Sequence, residues 1–236
     1  MRESRRDRQR EVDQLVPTEY RGAPSTNGRV LLPQREEPRP SPGGSDDPSV
    51  EDLVAALLRR LGEDPERDGL RDTPRRVRES LAFLTQGYQV TPETAIGTAL
   101  FAEEYDQLVL VRDIEFASLC EHHLLPFFGT VHIGYLPAGR IIGLSKLPRL
   151  VDVFARRLQV QERLTRQIAE TIQRLVAPHG VGVIIEARHL CMQMRGVQRR
   201  QSSTVTSCLL GAFRDDARTR AEFLALAPRG RMANEG

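Results

Sequence analysis

No stretch of this sequence approaches the roughly 20 consecutive apolar residues that a membrane-spanning helix needs, and its first residues lack the apolar core of a secretory signal. Membrane-spanning and secreted classes are therefore not expected. Cysteine is scarce: three in 236 residues, an odd number that fits a reducing cytoplasm better than a disulfide framework. An excess of either charge is missing too, since 34 Lys and Arg against 32 Asp and Glu leave a formal net charge of +2. Such a balance creates no field that would draw nucleic acid or a membrane surface, so any anion site must be local. Lysine is all but absent, Lys146 being the only one. The Gly-rich Lys-Ser/Thr loop of Walker type does not occur, so a bound phosphate would have to be held by side chains and a helix end. There is no internal repeat and no coiled-coil heptad.

What is present divides the chain. Residues 1–47 are rich in proline and arginine, carry one aromatic residue (Tyr20), and have no strong apolar periodicity beyond Val30-Leu31-Leu32. They read as a disordered extension, because so little burial cannot offset the entropy of ordering. Residues 48–228 read as the folded domain, with a helical arm over 48–100 and a core over 107–228, and 229–236 as a flexible tail. In the arm, Val50, Leu53, Val54, Leu57, Leu58 and Leu61 recur at helical spacing up to Gly62, and Thr73-Pro74 opens a second helix running toward Gly87. Strand character begins near Gln107 and leads into Cys120, continues from Phe127 to Leu136, and returns over Arg140 to Leu144. A helical stretch from Ser145 is broken around Gln159 to Gln161 and resumes until Pro178; strands are expected over Val181 to Ala187 and Val205 to Phe213, and a closing helix over Ala217 to Leu226. Helices, strands, helices, strands make an α+β domain with a largely antiparallel sheet.

Against this scarcity, Cys120-Glu121-His122-His123 and His189-Leu190-Cys191 concentrate soft ligands in two short runs. Cys120 and His123, three apart on a turn, together with a distant Cys191, supply three ligands for a tetrahedral ion and leave a fourth position for water, the arrangement of catalytic zinc. His189 and Cys191 would share a face if the strand ran through both. A purely structural zinc tying strands together is the alternative. Cys208, His132 and His179 have no such company and read as core. His122 and His189, beside the ligands, suit proton transfer near neutral pH. Ser145, Lys146 and Arg149 cluster where a helix begins, and with Arg195 they imply a strongly anionic substrate such as a polyphosphate. Gln161-Glu162 lies at a helix break; its carboxylate is either an ordinary helix-capping glutamate or an acceptor for the paired N1–H and 2-amino donors of guanine.

Four blocks carry a resemblance to the GTP cyclohydrolase I family: Cys120-Glu121-His122-His123, Gly143-Leu144-Ser145-Lys146-Leu147, Arg157 through Thr165, and His189-x-Cys191-Met192-x-Met194-Arg195-Gly196. The resemblance runs from about Val50 to Leu226. It implies a tunnelling fold, in which an antiparallel sheet with helices on one face closes into a barrel on oligomerisation, with active sites at subunit interfaces of a homodecamer. It also implies GTP and water as substrates, with 7,8-dihydroneopterin triphosphate and formate as products, in the first step of folate or tetrahydrobiopterin synthesis. By position, Cys120, His123 and Cys191 would hold one Zn2+ per subunit and His122 and His189 would assist proton transfer. Gln161 and Glu162 would hold guanine, Lys146, Arg149 and Arg195 would face the triphosphate, and Ser145 would approach the ribose. The extension before Pro48 and the run Arg199-Arg200-Gln201 depart from the family pattern.

Overall fold

Ser49 and Asp52 start the first helix by capping each other: the Ser49 hydroxyl accepts the Asp52 N–H at 3.1 Å, and the Asp52 carboxylate accepts the Ser49 N–H at 3.2 Å. Helix α1 (Val50–Arg60) follows, and the turn closes at Gly62, whose φ of +87° suits a residue without a Cβ. The structure is a computed structural model that describes residues 47–227; the expected extension over 1–47, but for its last residue, and the tail over 229–236 lie outside the described residues.

Helix α2 (Thr73–Thr85) has Pro74 in its first turn, as the sequence implied, and runs into a 3-10 turn over Gln86–Gln89. Gly87 in that turn packs so closely on the following layer that a methyl group would overlap the Val153 carbonyl. A short helix α3 (Pro92–Ile96) and strand β1 (Leu100–Ala102) come next, neither of them apparent in the sequence pattern. The remaining elements are β2 (Val109–Cys120), β3 (Pro126–Leu136), β4 (Arg140–Ile142), α4 (Lys146–Ala155), β5 (Leu158–Gln159), α5 (Gln161–Val176), β6 (Gly180–His189), α6 (Leu190–Gln193), β7 (Thr204–Gly211), α7 (Ala212–Asp215) and α8 (Ala217–Leu226). Strand β1 pairs with β4, and the main sheet has the order β5-β2-β3-β6-β7, antiparallel except for the β5–β2 pair.

Alternation along the strands puts Phe127, Val131, Ile133, Val183 and Ile185 on one face, all fully buried against Leu147, Leu150 and Val151 of α4 and Leu164, Ile168 and Ile172 of α5. Each such side chain contributes about 1.5–3 kcal/mol of burial, so this layer is the main source of stability. The expectation of helices on one face holds only for this layer. On the opposite face, Phe213 and Phe223 of α7 and α8 form a second cluster with Leu108, Leu110, Ile184 and Leu209. The seat exists because Gly134 and Gly182 are register partners without side chains, and the Phe223 ring lies directly over both.

The break between the two long helices is a structural joint: β5 lies parallel to the end of β2, Leu158 beside Leu119 and Gln159 beside Cys120. Register also sets Phe127, next to the start of β3, opposite His189 at the end of β6. The ends of β2, β5 and β6 thus meet at one end of the sheet, where the two soft-ligand runs converge.

Candidate active site

Cys120 is the last residue of β2, and the chain turns at once. Its carbonyl accepts the N–H of His123 at 3.3 Å and of Leu124 at 2.8 Å, its own N–H donates to the Leu125 carbonyl at 2.9 Å, and Leu124 takes a φ of +53° to complete the reversal. This tight turn brings His123 Nδ1 within 3.8 Å of Cys120 Sγ. Cys191 comes from the other side. The strand does not run through it as supposed: β6 stops at His189, and Cys191 stands in the one-turn helix α6. It is from this helical turn that the thiol approaches Cys120.

The result is that donor atoms of Cys120, His123 and Cys191 all lie within 4.8 Å of one another. Zinc with a Zn–S bond of about 2.3 Å and a Zn–N bond of about 2.05 Å at the tetrahedral angle separates sulfur from nitrogen by about 3.6 Å, so the 3.8 Å found between Cys120 and His123 fits such an ion. The chemistry of the donor set fits as well. Burial, and then the neighbouring Cys120, push the Cys191 thiol above its usual value, while Arg195 pulls it the other way; two thiols facing each other are a poor pair of anions until a cation joins them. His122, 64 % exposed, has Nδ1 3.9 Å from Cys120 Sγ and is not one of the converging group.

Around the donors stand residues that sequence reasoning did not single out. Arg163 of α5 holds Glu121, the residue after Cys120, through both terminal nitrogens at 2.6 and 3.0 Å, and this guanidinium keeps the Glu121 carboxyl below the usual carboxylate range. The backbone N–H of Glu121 donates to the Gln159 carbonyl at 3.0 Å. Phe127 stacks on the His189 ring, centroids 4.6 Å apart and planes 2° from parallel. Arg163 adjoins Glu162 in the block already noticed, and its position one turn into a helix was the available signal.

His189 is half-buried, and that burial pushes its imidazole below the usual value, with Glu162 opposing the shift. Its Nε2 lies 2.8 Å from Gln161 Oε1. Gln161 itself is only 2 % exposed, and its amide nitrogen, with two hydrogens to donate, faces three acceptors, the Ile185 carbonyl at 3.1 Å, the Thr204 carbonyl at 2.9 Å and the Thr206 hydroxyl at 3.1 Å. Its side chain is therefore engaged within the protein, unlike Glu162 next to it. Glu162 is exposed, makes no ion pair among the described residues, and borders an open depression with Val160, Arg166 and Cys208.

The anticipated helix start is confirmed: Ser145 occupies the N-cap of α4 with its hydroxyl uncommitted to the helix, and Lys146 is the first helical residue. Lys146 and Arg149 form no ion pair among the described residues, and the Lys146 ammonium approaches Gly97 after α3. These cations stand in the first turn of α4, whereas its last turn leads to β5 beside Cys120; at 1.5 Å per residue the 10-residue helix separates its ends by about 13 Å. Arg195 lies instead on the turn after α6, close enough to Cys191 to influence its thiol.

Comparison with known proteins gives the family of the chain. The family profile described as GTP cyclohydrolase I matches residues 50–228. A Synechococcus protein named GTP cyclohydrolase 1 is 55 % identical over 186 residues, which cover 78 % of this chain and 81 % of that protein. The protein of that name from Chlorobaculum tepidum is 56 % identical over 178 residues, 75 % of this chain and 80 % of its own. For Deinococcus radiodurans the figure is 49 % over 206 residues, 86 % of this chain and 95 % of that protein. The family profile spans every element that carries the converging donors, and the chain belongs to the GTP cyclohydrolase I family.

Proposed function

We propose that this protein hydrolyses GTP at C8 of the purine, with Zn2+ held by Cys120, His123 and Cys191, giving 7,8-dihydroneopterin triphosphate and formate. The observation that carries the reading is the convergence within 4.8 Å of three soft donors from two segments some seventy residues apart, in a member of this family. Zinc, when bound there, supplies Lewis-acid activation of water at neutral pH.

The remaining work falls to the chain. Glu162, exposed and with no ion pair among the described residues, accepts the N1–H and 2-amino donors of guanine, a pair that adenine cannot offer. Lys146, Arg149 and Arg195 bind the triphosphate, and the free Ser145 hydroxyl approaches the ribose. His189 and His122 move protons as water adds to C8, the imidazole ring opens and formate leaves. The ribose carbons then rearrange in the Amadori sense and close the new ring, while the phosphate contacts keep the chain in place.

The same reading includes a homo-oligomer, a decamer in the tunnelling arrangement, with composite sites. It is supported by the separation between the α4 cations and Cys120 along the helix, which lets the triphosphate pocket of one subunit face the donors of another. It is also supported by β7 ending the sheet with Val205 61 % exposed, an edge suited to pairing. No described helix is long and apolar enough to cross a membrane, and cysteines that form no disulfide among the described residues suit the cytoplasm.

The test is to incubate zinc-loaded protein with GTP, oxidise the mixture and look for pterin fluorescence, with formate measured in parallel. Folded, zinc-loaded protein that yields neither product would end the proposal.

A further inference from the structure

The side chain of Gln161 sits at the first position of α5, only 2 % exposed, with every polar atom bonded inside the protein. Its two ends can be told apart on physical grounds. The carbonyls of Ile185 and Thr204, at 3.1 and 2.9 Å, can only accept, so the amide nitrogen must be the end that faces them. The oxygen is then the end that faces His189 Nε2 at 2.8 Å, and an amide oxygen can only accept. His189 must therefore carry its hydrogen on Nε2.

We propose that Gln161 is a positioning residue that holds His189 as the Nε2–H tautomer and leaves Nδ1 as its one proton-accepting atom. The proposal deepens the reading above that His189 moves protons, and rests on it for its catalytic consequence. The anchor is rigid. The amide is tied to β6 through Ile185 and to β7 through Thr204 and Thr206, the Thr165 hydroxyl donates to the Gln161 backbone carbonyl at 2.7 Å and meets Thr206 Oγ1 at 2.7 Å, and Phe127 stacks on the imidazole face. The ring can therefore neither flip nor tilt without breaking a buried bond. A histidine that exchanges tautomers offers its lone pair in the right place only part of the time; one held in this way offers it always.

Solid-state 15N spectra of histidine-labelled protein read the tautomer directly, and Gln161→Met keeps the length of the side chain while removing the acceptor. The wild type is expected to show His189 as Nε2–H alone; Gln161→Met is expected to show a mixture of tautomers, a kcat about tenfold lower, and a KM for GTP changed by less than about threefold. His132, whose Nδ1 accepts the Asp113 N–H and so is also Nε2–H, serves as an unchanged internal reference. Thr206→Val loosens the same network without touching the His189 acceptor, and should keep the wild-type His189 signal and nearly the wild-type kcat. An unchanged His189 spectrum in Gln161→Met would overturn the proposal, as would a raised KM with kcat intact, or an equal loss in Thr206→Val. Absence of pterin from the wild type would defeat the parent reading alone, because the 15N comparison still decides the tautomer.

Discussion

Arg163 holds Glu121 through two parallel hydrogen bonds of 2.6 and 3.0 Å, and Glu121 stands between Cys120 and the two histidines of the turn after β2. Helix α5 thereby reaches across to fix the turn that carries two of the three converging donors, though neither Arg163 nor Glu121 is one of them. The pair is two-thirds buried, at 31 and 32 % side-chain exposure, so it is worth more than a surface ion pair.

Replacing Arg163 with leucine should loosen the turn and weaken zinc retention about tenfold, the order expected when a supporting contact of a metal site is lost. Competition against a chromophoric chelator measures this without reference to turnover. Zinc affinity equal to wild type would show that the turn holds its shape unaided.

Composite sites make a prediction that monomer-contained sites do not. Cys120→Ser and Lys146→Ala should each be nearly inactive as pure proteins, one lacking a ligand and the other a phosphate contact. Co-refolded mixtures of the two should recover activity, because some interfaces then receive an intact half from each subunit. Mixtures as dead as their components would place both halves within one chain.

Glu162→Gln should lower kcat/KM for GTP by about 10⁴ with zinc content unchanged, since an amide places a donor against an edge where N1–H and the 2-amino group both donate. Turnover within tenfold of wild type would remove Glu162 from base recognition.

His132 should leave a signature in the pH dependence of stability. It is buried, its Nδ1 accepts the Asp113 N–H at 3.1 Å, and burial pushes its imidazole below the usual value of about 6.5, with Asp113 and Glu186 opposing and Arg112 assisting. Below about pH 6.5 the unfolded chain takes up a proton that the folded chain refuses. Stability should therefore fall as pH drops from 7 toward 5, down to the depressed folded value. His132→Asn keeps an acceptor for Asp113 but cannot titrate, so the difference in thermal midpoint between variant and wild type should shrink with acidification. A constant difference would mean His132 contributes nothing to the slope.

Two glycines on β3 should respond differently to alanine. At Gly129 the added methyl would overlap the Glu186 carbonyl of the neighbouring strand, which cannot move without breaking the ladder; at Gly134 it meets the Phe223 ring, which can shift. Gly134→Ala should cost about 1–3 kcal/mol in chemical denaturation, whereas Gly129→Ala should prevent accumulation of folded protein. Equal, small losses at both would contradict the packing described.

Much of this was legible in one dimension, for local reasons. The apolar-spaced helix from Val50, the helix with Pro74 in its first turn, the helix start at Ser145-Lys146, and the strands ending at Cys120 and Leu136 follow from helical period, the fit of proline to a first turn and two-residue alternation, which depend on neighbours in the chain, whereas the cap of the second helix falls on Asp72 and not on Thr73. The grouping of Cys120, His123 and Cys191 was also readable, since scarce soft residues at short spacing are a compositional signal. Helix α3 and strand β1 escaped notice because five and three residues are too few to show a period. The seat of Phe223 escaped it because two glycines in separate strands have no pattern until register aligns them.

The sequence by itself determined which residues can do chemistry here, because donor type, scarcity and spacing are properties of the residues themselves. Only the tertiary structure decided that Gln161 faces inward to His189 while Glu162, one residue later, faces outward. Successive helical residues point about 100° apart, and which of them meets the sheet depends on how α5 docks against β6 and β7, a matter of long-range packing that no local window contains.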